Sequence, residues 1–229
     1  MPAGTLPDSN HSNPPGEPPV QKGFKIVNMG VHTVHNVYLE LTPGQCVGLT
    51  GPSGSGKSLF LRALADLDPH EGHVWLDGVG MDQIQAPEWR RRVGLLPAES
   101  AWWHDTVGPH FETVPKGWLE ALGFETGVLD WKVSRLSSGE RQRLALLRLL
   151  VLQPRVLLLD EPTANLDRGS LERAEKMLDR HRRARSLMMI WVSHDLEQLQ
   201  RNCDPIYLIE NNGLITFDPR SQANHGKPP

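Results

Sequence analysis

Two cysteines in 229 residues, Cys46 and Cys203, are too few and too far apart for a disulfide framework or a metal-binding pattern. A reducing compartment suits them. Basic excess is missing as well: 24 Lys and Arg stand against 27 Asp and Glu, for a formal net charge of −3. No global positive field therefore marks a nucleic-acid binder. No apolar run near residue 1 resembles a signal peptide, and no stretch of about twenty apolar residues could span a bilayer. The greasiest region, 144–159, is broken by Arg148, Pro154 and Arg155. These absences lead to the expectation of a soluble intracellular chain. With 38% hydrophobic and 22% charged residues, it has ample material for a core.

Glycine is concentrated in one informative place. Gly51, Pro52, Ser53, Gly54, Ser55, Gly56, Lys57 and Ser58 fit G-x-x-x-x-G-K-[ST], a loop whose backbone N–H groups cradle phosphate oxygens. Lys57 would place a charge on the β- and γ-phosphates, and the Ser58 hydroxyl would ligate Mg²⁺. Cys46–Thr50 reads as a buried strand before the loop and Leu59–Leu64 as a helix after it, the setting this motif requires. That helix aims its positive dipole end at the same anion.

Around this loop the chain alternates. Residues 1–22 carry six prolines among Ser, Asn and Gly and read as a disordered tail. Strand patterns occupy 24–27, 37–41, 72–78 and 93–96, with a helix over 86–92. Residues 97 to about 140 change character. They hold Trp102, Trp103, Trp118 and Trp131, and read as an inserted, mainly helical subdomain. His104 and His110 lie there without the carboxylate or Cys spacing of a metal site. Regular alternation returns with a helix over 138–152, a strand at 156–160, a helix over 169–183, and a strand at 187–192. A helix at 195–200 and strands at 205–209 and 214–217 complete it. Such alternation predicts a mostly parallel sheet covered on both faces. Residues 218–229 read as a flexible tail.

The strand Val156–Leu159 ends in Asp160 and Glu161. Asp160 would hold Mg²⁺ beside the phosphate loop, and Glu161 could polarise an attacking water as general base. Between the two motifs stands Leu136-Ser137-Ser138-Gly139-Glu140-Arg141-Gln142-Arg143. After them come Thr163-Ala164-Asn165-Leu166-Asp167 and Ser193-His194-Asp195. Together, and in this order, these segments resemble the ATP-binding cassette (ABC) ATPases over roughly residues 24–217. They correspond to the family's signature, D-loop and switch histidine.

The resemblance implies an α/β P-loop NTPase of ABC type. Its parts would be a mostly parallel sheet flanked by helices, a small antiparallel β subdomain and the inserted helical subdomain, within a cassette spanning 23–217. It implies Mg²⁺-dependent ATP hydrolysis by two cassettes stacked head to tail. Ser137, Ser138 and Gly139 of one copy would meet the γ-phosphate held by the other's loop. His194 would bond the γ-phosphate and orient water, and Asp167 would lie at the seam. The implied partners are a second cassette, as a homodimer, and a membrane permease reached from the cytoplasmic face. No nucleic acid is expected. The competing readings are a soluble non-transport ABC ATPase in cofactor assembly, translation or repair, and an ATP-dependent binding module with weak hydrolysis.

Three departures stand out. Ala98 occupies the place of the family's Gln after the strand 93–96, with Glu99 beside it. No aromatic is evident for stacking on adenine, Met29 or His32 lying near its expected place. Ser138 stands where the commonest signature has Gly. Trp102 and Trp103 fall where family members receive the permease, and read equally well as subdomain core.

Overall fold

The structure, a computed structural model, describes residues 22–210 and 213–217. The tails expected over 1–22 and 218–229 lie, apart from Lys22, outside the described residues. Strands β1 (Phe24–Val31) and β2 (Val34–Leu41) lead into β3 (Cys46–Thr50), the phosphate loop and helix α1 (Lys57–Leu64). Next come β4 (Glu71–Leu76), β5 (Val79–Gly80), α2 (Ala86–Arg92) and β6 (Val93–Leu96). After the inserted segment, which holds α3 (Trp118–Ala121), the order is α4 (Ser138–Val151), β7 (Val156–Asp160) and α5 (Arg168–Arg185). The last elements are β8 (Met188–Val192), α6 (Leu196–Asn202), β9 (Ile206–Glu210) and β10 (Gly213–Thr216).

Two sheets result. The antiparallel one has the order β2-β1-β4-β5, and the other has the order β10-β9-β3-β8-β7-β6. Every pairing in the second is parallel except β10 with β9. Strands β3, β7 and β8 are buried along their whole length, as parallel strands covered on both faces must be. Alternate residues serve opposite faces. Val47, Leu49, Val156, Leu158, Met188, Ile190 and Val192 join α1 and the antiparallel sheet in one core. Cys46, Leu157, Leu159, Met189 and Trp191 join α4, α5, α6 and the inserted segment in the other.

The inserted segment is less helical than its pattern suggested. Between β6 and α4 the described chain has the four-residue α3 and short 3₁₀ turns at Gly108–His110, Thr126–Asp130 and Val133–Arg135. Its many Gly, Pro and Trp residues favour turns anchored by packing over continuous helix.

Trp89 fastens α2 to the first core. It is fully buried, its indole Nε1–H donates to Leu64 O at 2.9 Å, and its ring lies 6.3 Å from that of Phe24. Trp89→Ala would leave a large cavity and an unpaired carbonyl. The expected cost is about 3–5 kcal/mol, measurable as a lowered midpoint in urea unfolding.

Candidate functional site

The parallel register sets Leu49, Val192 and Asp160 in one row across β3, β8 and β7. Because the strands share a direction, the turns that follow them emerge at one edge of the sheet, where ligands of open α/β sheets bind. From β3 comes the phosphate loop, from β7 Asp160 and Glu161, from β8 Ser193 and His194. β6, whose Leu96 pairs with Leu159, contributes Ala98. A cleft of ≈ 330 Å³ is lined by Ser53, Gly54, Gly56, Lys57, Ser58, Ala98, Asp160, Glu161 and His194, among others. Candidates from four separate stretches of sequence therefore face one space.

Gly56 caps α1 at φ +95°, in the left-handed region that L side chains avoid. A Cβ there would lie 3.0 Å from Val34 and 3.4 Å from the Thr33 hydroxyl, so the β1–β2 turn packs against the loop. This placement separates the two candidates for contact with a base. His32 is exposed in that turn, whereas Met29 is fully buried in the core and cannot stack on a ligand.

Lys57 is buried, and its Nζ donates to Gly51 O and Pro52 O at 2.8 Å each. Burial lowers its pKa, while the carboxylates of Glu161 and Asp160 hold it up. The ammonium is thus solvated by its own loop and stands within the cleft. Ser58 and Asp160 add a hydroxyl and a carboxylate, hard oxygen donors of the kind a divalent cation such as Mg²⁺ takes.

Glu161 sits in the left-handed region at φ +48°, its N–H bonded to Val192 O at 3.1 Å. Its Oε1 is buried without a hydrogen-bond partner, 3.5 Å from His194 Nε2. Burial raises its pKa above the ordinary value, and the His194 charge works against that rise. A desolvated carboxylate with a free lone pair suits proton abstraction from water.

Ser137, Ser138 and Gly139 are not among the residues lining this cleft. Ser137 is the N-cap of α4: its hydroxyl accepts from Glu140 N at 3.2 Å and donates to Glu140 Oε2 at 2.9 Å, and its own N–H donates to that oxygen at 2.8 Å. This is a capping box, and the Ser137 N–H, with the hydroxyl, holds Glu140 below the usual carboxylate range. The S-x-x-E spacing was present in the sequence, yet Glu140 was not among the candidates drawn from it. A Cβ on Gly139 would lie 2.8 Å from Asn165 O, so the start of α4 and the 163–167 turn pack backbone to backbone. Asp167 caps α5 by accepting from Ser170 N at 3.0 Å.

Two buried glutamines complete the site, and no local signal marks either. Gln198 Oε1 accepts from the Thr163 hydroxyl at 2.9 Å and the Ser193 hydroxyl at 3.2 Å, while its Nε2 donates to Glu175 at 2.8 Å. It joins the turns after β7 and β8. Gln142 Nε2 donates to Pro97 O at 3.2 Å, tying α4 to the Ala98 turn.

Beside the cleft lies a larger groove of ≈ 500 Å³, lined mainly by Leu95, Leu96, Pro97, Trp103, Phe111, Leu149 and Leu152. Trp103 is 64% exposed and Trp102 half-buried. The Arg148 guanidinium sits over both rings, 4.7 Å from the centroid of Trp103 and 4.8 Å from that of Trp102. His110 is buried beneath, its Nε2 accepting the N–H groups of Trp103 and His104 at 3.1 Å each. Burial lowers its pKa, which keeps that nitrogen an acceptor.

The family model described as ABC transporter matches residues 34–164. ABC transporter I family member 17 of Arabidopsis thaliana is 33% identical over 218 residues, covering 90% of this chain and 83% of that protein. Protein STAR1 of Oryza sativa subsp. japonica is 35% identical over 213 residues, covering 87% of this chain and 62% of that protein. The chain thus spans less than two thirds of the rice protein. A solved dimeric ATP-binding cassette in a post-hydrolysis state with ADP and Pi gives a TM-score of 0.71 at 23% identity, over 83% of this chain and 96% of that one. At that identity the likeness is one of fold.

The raised pKa of Glu161 carries a stability prediction. The folded protein holds this proton more tightly than the unfolded chain, so ionisation near neutrality costs stability. The cost disappears as pH falls below the ordinary carboxylate range. Glu161→Gln is therefore expected to raise the melting temperature at pH 7, by about 2–4 °C for each ~1 kcal/mol recovered. Differential scanning calorimetry should show the advantage vanishing toward pH 4.

Proposed function

Since this chain belongs to the ABC transporter family of ATP-binding proteins, we propose that it hydrolyses ATP to drive a membrane permease formed by another polypeptide. The observation that carries the reading is a divided site. Phosphate loop, Asp160, Glu161 and His194 face one cleft, while the signature Ser137–Gly139 lies outside it, with Ser137 and Ser138 exposed. A second copy would bring its own signature helix over the first copy's phosphate loop, so ATP closes the pair and hydrolysis releases it.

Each residue has a role in this scheme. Loop N–H groups and the Lys57 ammonium bind the phosphate tail. Lys57 already spans Gly51 O and Pro52 O, and phosphate oxygens would replace these neutral acceptors with charged ones. Ser58 and Asp160 would hold Mg²⁺, which supplies charge neutralisation at the phosphates. Glu161 takes the proton of the attacking water. His194, within 3.5 Å of Glu161, works against the rise that burial gives the carboxylate's pKa and donates toward the γ-phosphate.

The aromatic groove is the proposed seat of the permease. Its wall continues into the cleft: Pro97 lines the groove and the adjoining Ala98 lines the cleft. No helix among the described residues is long and apolar enough to cross a membrane, in keeping with a spanning partner on another chain.

The test uses tagged Glu161→Gln protein with ATP. Hydrolysis is expected to fall about 10²–10⁴-fold, with ATP-dependent dimers by size-exclusion chromatography. In mild detergent a polytopic membrane protein should co-purify, and Trp103→Glu should lose it while still binding ATP. Wild-type turnover in Glu161→Gln would overturn the base assignment. A preparation without membrane protein would overturn the transporter reading.

Ala98 favours a variant of this scheme in which closure is firm and turnover slow, because its methyl group can neither ligate a cation nor bond to water. Ala98→Gln is expected to raise steady-state phosphate release several-fold. An unchanged rate would show that the missing amide is compensated.

A further inference from the structure

The chain's two cysteines, 157 residues apart, meet inside the second core with their sulfurs 2.9 Å apart. Cys46 opens β3 and is 3% exposed, and Cys203 follows α6 and is 8% exposed. Main-chain bonds hold the two segments side by side around them. Asp204 N donates to Cys46 O at 2.8 Å and Gly48 N to Pro205 O at 2.9 Å, while Cys203 N is held on α6 by Leu199 O at 2.8 Å. The carriers of both thiols are therefore fixed independently of the thiols themselves.

No group of three or more His, Cys, Asp or Glu residues among the described residues could hold a metal ion. Each thiol has the other as its partner for chemistry. We propose that Cys46 and Cys203 are a redox modification site, oxidised reversibly to an intrachain disulfide that staples β3 to the end of α6.

The oxidant is a small-molecule disulfide such as glutathione disulfide. When the chain after α6 opens, the Cys203 thiolate attacks one sulfur of the oxidant and releases one glutathione thiolate. The Cys46 thiolate then attacks the Cys203 sulfur of the mixed disulfide and expels the second glutathione. Two protein thiols lose two hydrogen atoms, and the oxidant is reduced to two thiols. The hydrogen bond shared with Cys46 and burial push the Cys203 thiol far above its ordinary pKa, so the closed protein reacts slowly and opening gates the first attack.

The bond would form at the start of β3, whereas the phosphate loop leaves its far end after Thr50. Likewise Cys203 follows the last turn of α6, and His194 precedes its first. The staple should therefore leave the cleft unchanged and stabilise the fold by restricting the unfolded chain. For a loop this long the expected rise in melting temperature is about 10 °C.

The experiment compares full-length protein held in dithiothreitol with protein equilibrated, both folded and after refolding from urea, in glutathione disulfide. Non-reducing peptide mapping should find the Cys46 and Cys203 peptides joined. The melting temperature should rise by about 10 °C and return on reduction, with ATP hydrolysis unaltered within two-fold. In Cys203→Ser both the crosslink and the shift should disappear. Should that variant not fold, the oxidised and reduced wild-type protein carry the comparison alone. Absence of the crosslink after refolding would overturn the proposal, and so would a crosslinked protein that melts no higher than the reduced one.

Discussion

Burial of β3, β7 and β8 on both faces is the constraint from which the site follows. Each of these strands sends alternate side chains to two different cores, so a slip of one residue would exchange the two sets. Trp191 would then move into space shaped for Ile190 or Val192, and Val47 into that of Cys46. Packing on both sides penalises the slip, and the register that survives sets Leu49, Val192 and Asp160 level. Hydrophobic burial, which carries no chemical information about phosphate, thereby decides which side chains leave the sheet edge together.

What the sheet cannot settle is the course of the turns beyond its edge, and polar contacts do that. Gln198 receives the hydroxyls of Thr163 and Ser193 on a single carbonyl oxygen. Those two residues flank Glu161 and His194 in the chain. A buried amide with three partners is costly to disturb, so the turns carrying the two groups keep a fixed relation. Against this rigid background Glu161 stands out, with left-handed backbone and a buried carboxylate oxygen that finds no partner. Strain and an unpaired acceptor at one residue are features that folds retain at reactive positions.

The sequence disclosed what is local and concealed what is not. Residues 51–58 could be read because loop, lysine and hydroxyl are contiguous and strand and helix flank them. Ala98 could be placed because β6 ends cleanly at Leu96, before Pro97. Between Met29 and His32 the sequence offered no choice, because β1 shifts register on both sides of Met29 and a bulge decides which face a residue meets. The helical character of the inserted segment was overestimated, since tryptophan and leucine spaced through it are satisfied by packing short turns as well as by helix. Gln142 and Gln198 gave no sign, their partners lying as far as 45 and 35 residues away. Cys46 and Cys203 looked unrelated for the same reason. Glu140 is the exception, a local capping pattern that lay in plain view.

The same geometry bears on how a signal at the groove could reach the cleft. Leu96, Pro97 and Ala98 form a wall only three residues long between them, and Gln142 grips that wall from α4 through Pro97 O. The first turn of α4 is the signature, and Gly139 lets it lie against Asn165 O of the 163–167 turn. A partner pressing on the groove would therefore load α4 and the Ala98 turn together, and through α4 the surface offered to a second copy. In this chain the link runs through main-chain carbonyls and a buried amide, and it places no side-chain donor from position 98 in the cleft. On the proposed function, mechanical coupling and water positioning, which one residue could serve at once, would be separated here, the first left to Gln142 and the second to Glu161 and His194.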